Sequence, residues 1–356
     1  MKPTGTTTAT TATTATAPTD APAVRRPLPP TAIAPARLSG IGHYFPGEPV
    51  TNAYFEDIGA LGIDDAWIQR HTGIRSRHWP SDEKERAVEM AARAVDLALA
   101  DAGLAPEDID LLIGTTSTTR PRVNPSSATN NYMDISLPLQ HQAGLRHAMC
   151  FDVTAVACAG FMYGSATACA MLPALGFRNA LVVCAENPKP ILNFDYRYSA
   201  LFGAGAAAAV WSADPRHRGL LDVALHADGS YFDAFDIDGN DKMLMRGGQV
   251  GQLGPQLLAQ VGREILGRNA LTVDDIDWFV PHQGNLNMIN QVCEELGLPR
   301  EKVLTNIQTR GNTSSVSIPS CLSENLRSGN VLPGDLVAAI GIGRGFSWGA
   351  MLFRYR

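Results

Sequence analysis

A cysteine, a histidine and an asparagine carry the chemistry this chain could perform. Cys158 closes the apolar, β-branched run Phe151-Asp152-Val153-Thr154-Ala155-Val156-Ala157 and opens a long small-residue segment that continues to Ala170. The pattern reads as a strand delivering a thiol to the N-terminus of a buried helix. Unpaired N–H groups and the helix dipole favour an anion there, so the thiol should lose its proton readily and act as a nucleophile. The ordinary alternative is a small core residue, as for Cys150, Cys169, Cys184, Cys293 and Cys321. His282 lies in Val280-Pro281-His282-Gln283-Gly284, at the C-terminal end of an apolar strand pattern, where ligand sites of α/β sheets gather. Asn312 lies in the polar turn Arg310-Gly311-Asn312-Thr313-Ser314-Ser315, ahead of a helical stretch from Val316 to Leu326. Taken singly, the histidine reads as a satisfied imidazole and the asparagine as a turn former. The loop Gly341-Ile342-Gly343-Arg344-Gly345-Phe346-Ser347-Trp348-Gly349 could be a plain strand connection, or a place where backbone N–H groups approach a ligand. Together the pieces have one logic. A thiolate attacks a thioester carbonyl, backbone N–H groups hold the oxyanion, and a neutral imidazole with a carboxamide stabilises an enolate on a second thioester. The scheme needs no metal and no cofactor beyond the thioester substrates.

The rest of the chain must position these groups. Its 356 residues, 45% hydrophobic and 18% charged, can form one large domain or two fused halves. Leu104-Ala105-Pro106-Glu107-Asp108-Ile109-Asp110 recurs as Leu271-Thr272-Val273-Asp274-Asp275-Ile276-Asp277, each leading from an amphipathic helix (Glu85 to Ala102, Gln256 to Asn269) into an apolar strand. Asn179 to Ala185 likewise resembles Asp335 to Gly341. Apolar strands alternating with helices predict an α/β fold with parallel or mixed sheets covered by helices. The repeats place two halves at about 37–212 and 213–356, with the nucleophile in the first and His282 and Asn312 in the second. Residues 1–36 form a Thr/Ala- and Pro-rich tail too poor in large apolar groups to offset its ordering entropy, and are expected to be disordered. A net charge of −6 without a dense basic run gives no sign of a nucleic-acid surface. An unbroken apolar stretch of about 18 residues is not seen, so no membrane span is expected. Six unpaired-looking cysteines suggest neither a disulfide framework nor a zinc site, and fit a reducing cytoplasm.

With these residues in view, the sequence resembles the ketoacyl-acyl-carrier-protein synthase III family of the thiolase superfamily. The matching motifs are Thr72-Gly73-Ile74-Arg75, Pro125-Ser126-Ser127-Ala128, the Cys158 segment, His226-Ala227-Asp228-Gly229-Ser230, Val280-Pro281-His282-Gln283, Gly311-Asn312-Thr313-Ser314 and Gly345-Phe346-Ser347-Trp348-Gly349. They run in family order from about Leu38 to Arg356. The resemblance implies a homodimer of thiolase-fold subunits, each a five-layered α-β-α-β-α sandwich of two pseudo-repeated halves. It implies that Cys158 accepts the acyl group, that His282 and Asn312 complete a Cys-His-Asn triad, and that the N–H groups of Cys158 and Arg344 form the oxyanion hole. Acyl-CoA and a malonyl thioester, free or on acyl carrier protein, are the implied partners. Chalcone-synthase-like enzymes, degradative thiolases and elongating ketosynthases fit less well. A Gly-Phe-Gly-Pro-Gly signature and a second loop cysteine are absent, and Asn312 stands where a second histidine would.

Departures from the family pattern bear on substrate choice. Trp67, which stacks on adenine in the family, is kept; an arginine that helps hold coenzyme A is replaced by His71. A second adenine-flanking arginine falls at Tyr196, with Arg197 beside it. Asn287 replaces a basic carrier-docking residue, Gly251 a tunnel-lining phenylalanine, and Asn124 an aromatic that reaches the partner's acyl pocket. Phe202 leads Phe202-Gly203-Ala204-Gly205, where the family has Phe-Gly-Asp-Gly, and Arg344 sits in a loop of otherwise small residues. That arginine could depress the thiol's pKa, bind an acidic acyl group, or be solvated. The expected activity is decarboxylative Claisen condensation, in polyketide or other specialised metabolism. Alternatives are acyl transfer to a hydroxyl or amine, housekeeping initiation of fatty-acid synthesis, and a non-catalytic dimer partner.

Overall fold

The computed structural model describes residues 35–82, 85–118, 134–216 and 219–356. Nearly all of the tail expected to be disordered, and the loop with Asn124 and Pro125-Ser126-Ser127-Ala128, lie outside these residues. The apolar runs make two mixed sheets. The first has five strands in spatial order Ala36–Tyr44, Gly205–Ala213, Asn179–Glu186, Leu111–Thr115 and Met149–Asp152. Its last three strands run parallel and the others antiparallel. The second has four: Trp278–Pro281, Leu336–Gly343, Gly345–Arg354 and Leu220–Tyr231. Only its first pair is parallel. Every residue of Leu111–Thr115 and of Leu336–Gly343 is buried, which explains their unbroken apolar character: both faces of each sheet are covered.

Helix Ala87–Ala102 covers the outer face of the first sheet through Met90, Ala91, Ala94, Val95 and Ala98. Helix Gly247–Arg268 covers the second sheet from outside. Between the sheets lie Gly160–Leu175 and Ser317–Arg327, each touching both. The result is a thiolase fold with α-β-α-β-α layering. The segment Ala157–Leu175 is apolar and long enough, by length and composition, to cross a membrane. The sequence reading did not register it. The helix lacks a polar stripe because sheets flank it on two sides, and half of its most apolar window is buried inside the protein. Helix Gly247–Arg268 also begins nine residues before the expected Gln256 and runs through Pro255. Packing against the helix Leu286–Leu296 outweighs the glycines and proline that local propensity would read as a break.

The sequence repeat has a structural counterpart. The single turns Pro106–Asp108 and Val273–Asp275 each end in an aspartate that accepts a backbone N–H three residues back, Ala105 at 2.9 Å and Thr272 at 2.7 Å. Asp110 then accepts the N–H groups of Arg178 and Asn179, and Asp277 that of Leu336. In both sheets an aspartate thus ties the starts of two parallel strands.

Glycine sets the distance between strand Ala36–Tyr44 and its covering helix. A Cβ at Gly42 would stand 2.4 Å from the carbonyl oxygen of Ala94 and 2.6 Å from the nitrogen of Ala98. Gly42→Ala is therefore expected to destabilise the fold by about 1–3 kcal/mol, the usual cost of overpacking. The shift in the urea-unfolding midpoint measures it, and an unchanged midpoint would contradict this packing.

Candidate active site

Cys158 leaves the edge strand Met149–Asp152 through a turn of left-handed alanines, Ala155 at φ 68° and Ala157 at φ 44°. A Cβ makes that conformation unfavourable, so surrounding contacts must hold it. The thiol sits in the single turn Ala157–Ala159, directly ahead of helix Gly160–Leu175, as the sequence implied. Two close approaches lock it there. A Cβ at Gly160 would lie 2.0 Å from Thr115 Oγ1. A Cβ at Gly343, from the other half of the chain, would lie 1.9 Å from the Val156 carbonyl oxygen and 3.0 Å from the Cys158 nitrogen. The glycine loop thus lies against the nucleophile turn, which brings Arg344 beside Cys158.

A cavity of about 850 Å³ opens over the sulfur. Cys158, Asn312, Ser314, Arg344, Phe202 and Glu186 all line it. Asn312 is held from three sides. Its N–H donates to the Leu201 carbonyl at 2.7 Å, its carbonyl accepts from Gly203, and its side-chain oxygen accepts the Ser314 N–H at 2.9 Å. With that oxygen engaged, the carboxamide N–H₂ is the end left to donate to a ligand. The same contacts bridge Phe202 to Asn312. His282 follows strand Trp278–Pro281 and is anchored by its N–H to the Ile340 carbonyl at 2.7 Å. It is buried and absent from the cavity lining. Nδ1 pairs with Ser317 Oγ at 2.7 Å, leaving Nε2 uncommitted among the described residues.

The electrostatics overturn one expectation. Burial pushes the Cys158 thiol up from 9.0 to about 12, and the Glu186 carboxylate acts in the same direction. Hydrogen bonding to Ser314 opposes the shift without cancelling it. The first-turn N–H groups favour a thiolate, but removal from water outweighs them. Arg344 is not among the groups that move this pKa, so of its three readings the depression of the thiol's pKa is not realised in the resting site. Burial also lowers His282 to about 4, so the imidazole is neutral at pH 7. At rest the Cys158 thiol and the His282 imidazole are therefore each neutral.

The sequence reading passed over the hydroxyls. The Cys158 S–H donates to Ser314 Oγ at 3.4 Å, and Ser314 Oγ lies 3.1 Å from Ser117 Oγ. Ser117 in turn donates to Glu186, as do Thr118 and Ser315. Glu186 is fully buried, and hydroxyl and N–H donors compensate its charge. The run Asn312-Thr313-Ser314-Ser315 was the available signal, since consecutive small hydroxyls at a buried helix start need partners.

The expected substrate residues form a separate cluster. His71 stacks on Trp67 at 4.2 Å between ring centroids, and the Arg197 guanidinium lies 5.7 Å from the same ring. Arg197 is fixed by donation from Nε to the Leu61 carbonyl. Asn287 is exposed, but its carboxamide donates to the carbonyls of Arg70 and His71 and caps the helix Asp65–Thr72. Gly251 is exposed with open space around it, and lies away from the cavity lining. Asn124 falls outside the described residues.

Comparison with known proteins gives this geometry a family. Residues 151–229 match the family model for 3-oxoacyl-[acyl-carrier-protein] synthase III, and residues 266–355 match its C-terminal counterpart. A β-ketoacyl-[acyl-carrier-protein] synthase III of Ruegeria pomeroyi is 37% identical over 332 residues, covering 90% of this chain and 99% of the relative. This chain belongs to the β-ketoacyl-[acyl-carrier-protein] synthase III family. It is an acyltransferase of the condensing type. Among solved structures, the synthase III of Aquifex aeolicus superposes with a TM-score of 0.82 at 32% identity, covering 90% of this chain and all of that one. The priming β-ketosynthase of the R1128 polyketide pathway superposes at 0.81 with 30% identity, covering 94% and 99%. The synthase III resemblance read from the sequence is thereby shown.

The raised thiol makes a definite prediction for this synthase. Below its pKa the thiolate fraction grows about tenfold per pH unit. Alkylation of Cys158 by iodoacetamide should therefore keep accelerating from about pH 7 to 10, without a step near the usual imidazole range. A plateau by about pH 8 would show an ionised resting thiol instead.

Proposed function

We propose that the protein loads an acyl group from an acyl-CoA or acyl-carrier thioester onto Cys158 and condenses it with a malonyl thioester, releasing carbon dioxide. One observation carries this reading: the Cys158 sulfur and the undirected N–H₂ of Asn312 border a single cavity whose wall is also formed by the glycine loop. In loading, the thiol attacks the thioester carbonyl as its proton passes to a neutral base. The proposed base is His282, whose Nδ1 is held by Ser317 so that Nε2 can exchange the proton. Backbone N–H groups of Cys158 and Arg344 would hold the oxyanion. In condensation, His282 and Asn312 would donate to the malonyl thioester oxygen as enolate charge develops. A neutral imidazole suits a donor to that oxygen.

Trp67, His71 and Arg197 are proposed to receive the coenzyme A end of the substrate and Phe202 to wall the acyl group; Asn287 is committed to a helix end and Gly251 is absent from the cavity lining. We take 37–212 and 213–356 as duplicated halves, a division supported by the paired aspartate turns. A second copy of the chain is the proposed partner. The edge strand Met149–Asp152 and the exposed Leu137 and Met149 support a dimer face beside the nucleophile. The relatives named β-ketoacyl-[acyl-carrier-protein] synthase III keep housekeeping initiation of fatty-acid synthesis as the alternative. A specialised pathway is favoured by Arg344 in the cavity wall and by the commitment of Asn287 to a helix end.

Intact-protein mass spectrometry with a panel of acyl-CoAs tests the loading step. Covalent label is expected on the native chain and none on Cys158→Ala; a labelled Cys158→Ala would refute the assignment. Asn312→Ala should retain label while carbon dioxide release from a malonyl thioester falls by about 10²–10³-fold, the scale for loss of one aimed donor. Equal loss of both steps would assign Asn312 to the fold of the site. If acyl groups leave Cys158 for hydroxyl or amine acceptors without carbon dioxide release, the acyl-transfer alternative holds.

A further inference from the structure

We propose that Arg344 is a carboxylate-binding residue, and that the acyl group carried by Cys158 bears a free carboxylate. The inference rests on Cys158 acylation and adds the class of acyl group. Arg344 and Cys158 line one cavity. Its neighbours in the loop cannot carry side chains without strain: Gly343 is closed off by the Val156 carbonyl, and Gly345 sits at φ 126°. At the position between them stands a long cation. Its Nε donates to the Phe235 carbonyl at 3.1 Å, which fixes the guanidinium against the cavity wall. Nη1 and Nη2 have no acceptor among the described residues.

None of the four acids on the same wall is hydrogen-bonded or ion-paired to Arg344. Glu186 is held by Ser117, Thr118 and Ser315. Asp152 accepts from Ile135 and Ser136. Asp236 accepts the N–H of Ile237, and neither it nor Asp134 forms an ion pair with Arg344. Residues 119–133, outside the described structure, contain no Asp or Glu at all. Arg344 is thus the one cation among the described lining residues, beside four carboxylates of which none is bonded to it, and its Nη groups form a planar fork that a carboxylate fits bidentately.

Chemistry decides which substrate carboxylate this is. Malonyl decarboxylation turns a carboxylate into neutral carbon dioxide. A cation gripping that group would stabilise the ground state more than the transition state and slow the step. A carboxylate that survives the reaction suffers no such conflict, which points to the loaded acyl group. Loading remains balanced: the Cys158 sulfur–carbonyl bond forms, the bond from the carbonyl to the coenzyme A sulfur breaks, and the thiol proton ends on the departing coenzyme A sulfur.

The test uses the full chain with succinyl-CoA and butyryl-CoA, which differ by a terminal carboxylate in place of a methyl group. Rates of Cys158 labelling are read by intact-protein mass spectrometry. The native protein should label faster with succinyl-CoA. In Arg344→Gln the succinyl-to-butyryl rate ratio should fall about 10- to 100-fold, the range for one charge-assisted contact, and Arg344→Lys should recover part of it. A native preference for butyryl-CoA, or a ratio unchanged in Arg344→Gln, would overturn the proposal. If neither thioester labels Cys158, the acylation reading itself fails. Calorimetric binding of both thioesters to Cys158→Ala then decides the Arg344 site separately: tighter succinyl-CoA binding that Arg344→Gln abolishes supports it, and equal binding refutes it.

Discussion

The site depends on one backbone contact between the glycine loop and the turn that carries Cys158. Gly343 lies so close to the Val156 carbonyl and the Cys158 nitrogen that a single methyl group could not be inserted. That contact props up a turn in which two alanines adopt a left-handed conformation unsupported by their own side chains. It also places the second half's loop over the first half's sulfur. A similar economy appears at Gly311 and Gly203, where backbone from residues 201–203 meets backbone from residues 310–312 and fixes Asn312. Small residues at these seams are a geometric requirement of the meeting.

This closeness has an electrostatic result. Cys158 is half-buried on the cavity wall, and the loss of solvation imposed by the surrounding protein still raises its thiol's pKa, so the neutral form is the resting one. The helix terminus alone is too weak to hold a thiolate against that loss, since a terminal dipole contributes at most about 2 kcal/mol. Elsewhere in the site, burial keeps the His282 imidazole neutral, and hydroxyls of Ser314 and Ser117 link Cys158 to the buried Glu186 carboxylate.

Much of this was legible in the sequence, and the gaps have physical causes. Strand-forming runs such as Leu111–Thr115 and Leu336–Gly343 announced themselves because burial on both faces demands unbroken apolar sequence. The repeat was visible through its turns, since an aspartate that closes a turn and another that ties two strands are hard to replace. Cys158, Asn312 and the loop of Arg344 were legible because each sits beside glycine or at a switch from strand to helix. The sign of the thiol's pKa shift was not, because it depends on how completely neighbours distant in sequence exclude water. Asn287 was read as a docking position, but a hydrogen bond to a helix end belongs to tertiary structure and leaves no local trace. The start of helix Gly247–Arg268 was missed because its glycines and proline are tolerated only against the helix beside it.

The seam at Asn312 bears on how the chain acquires competence. Its backbone pairs with Leu201 and Gly203 across more than a hundred intervening residues, and Gly343 reaches Cys158 across a longer interval still. Such pairings require closing large loops, which are among the slow events of folding. The sheets need closures of the same scale, since Ala36–Tyr44 pairs with Gly205–Ala213 and Leu220–Tyr231 with Gly345–Arg354, so the fold and the reactive centre draw on the same long-range contacts. Because Gly343 stands only thirteen residues from Arg356, nearly the whole sequence must be made before the loop can close on the Cys158 turn.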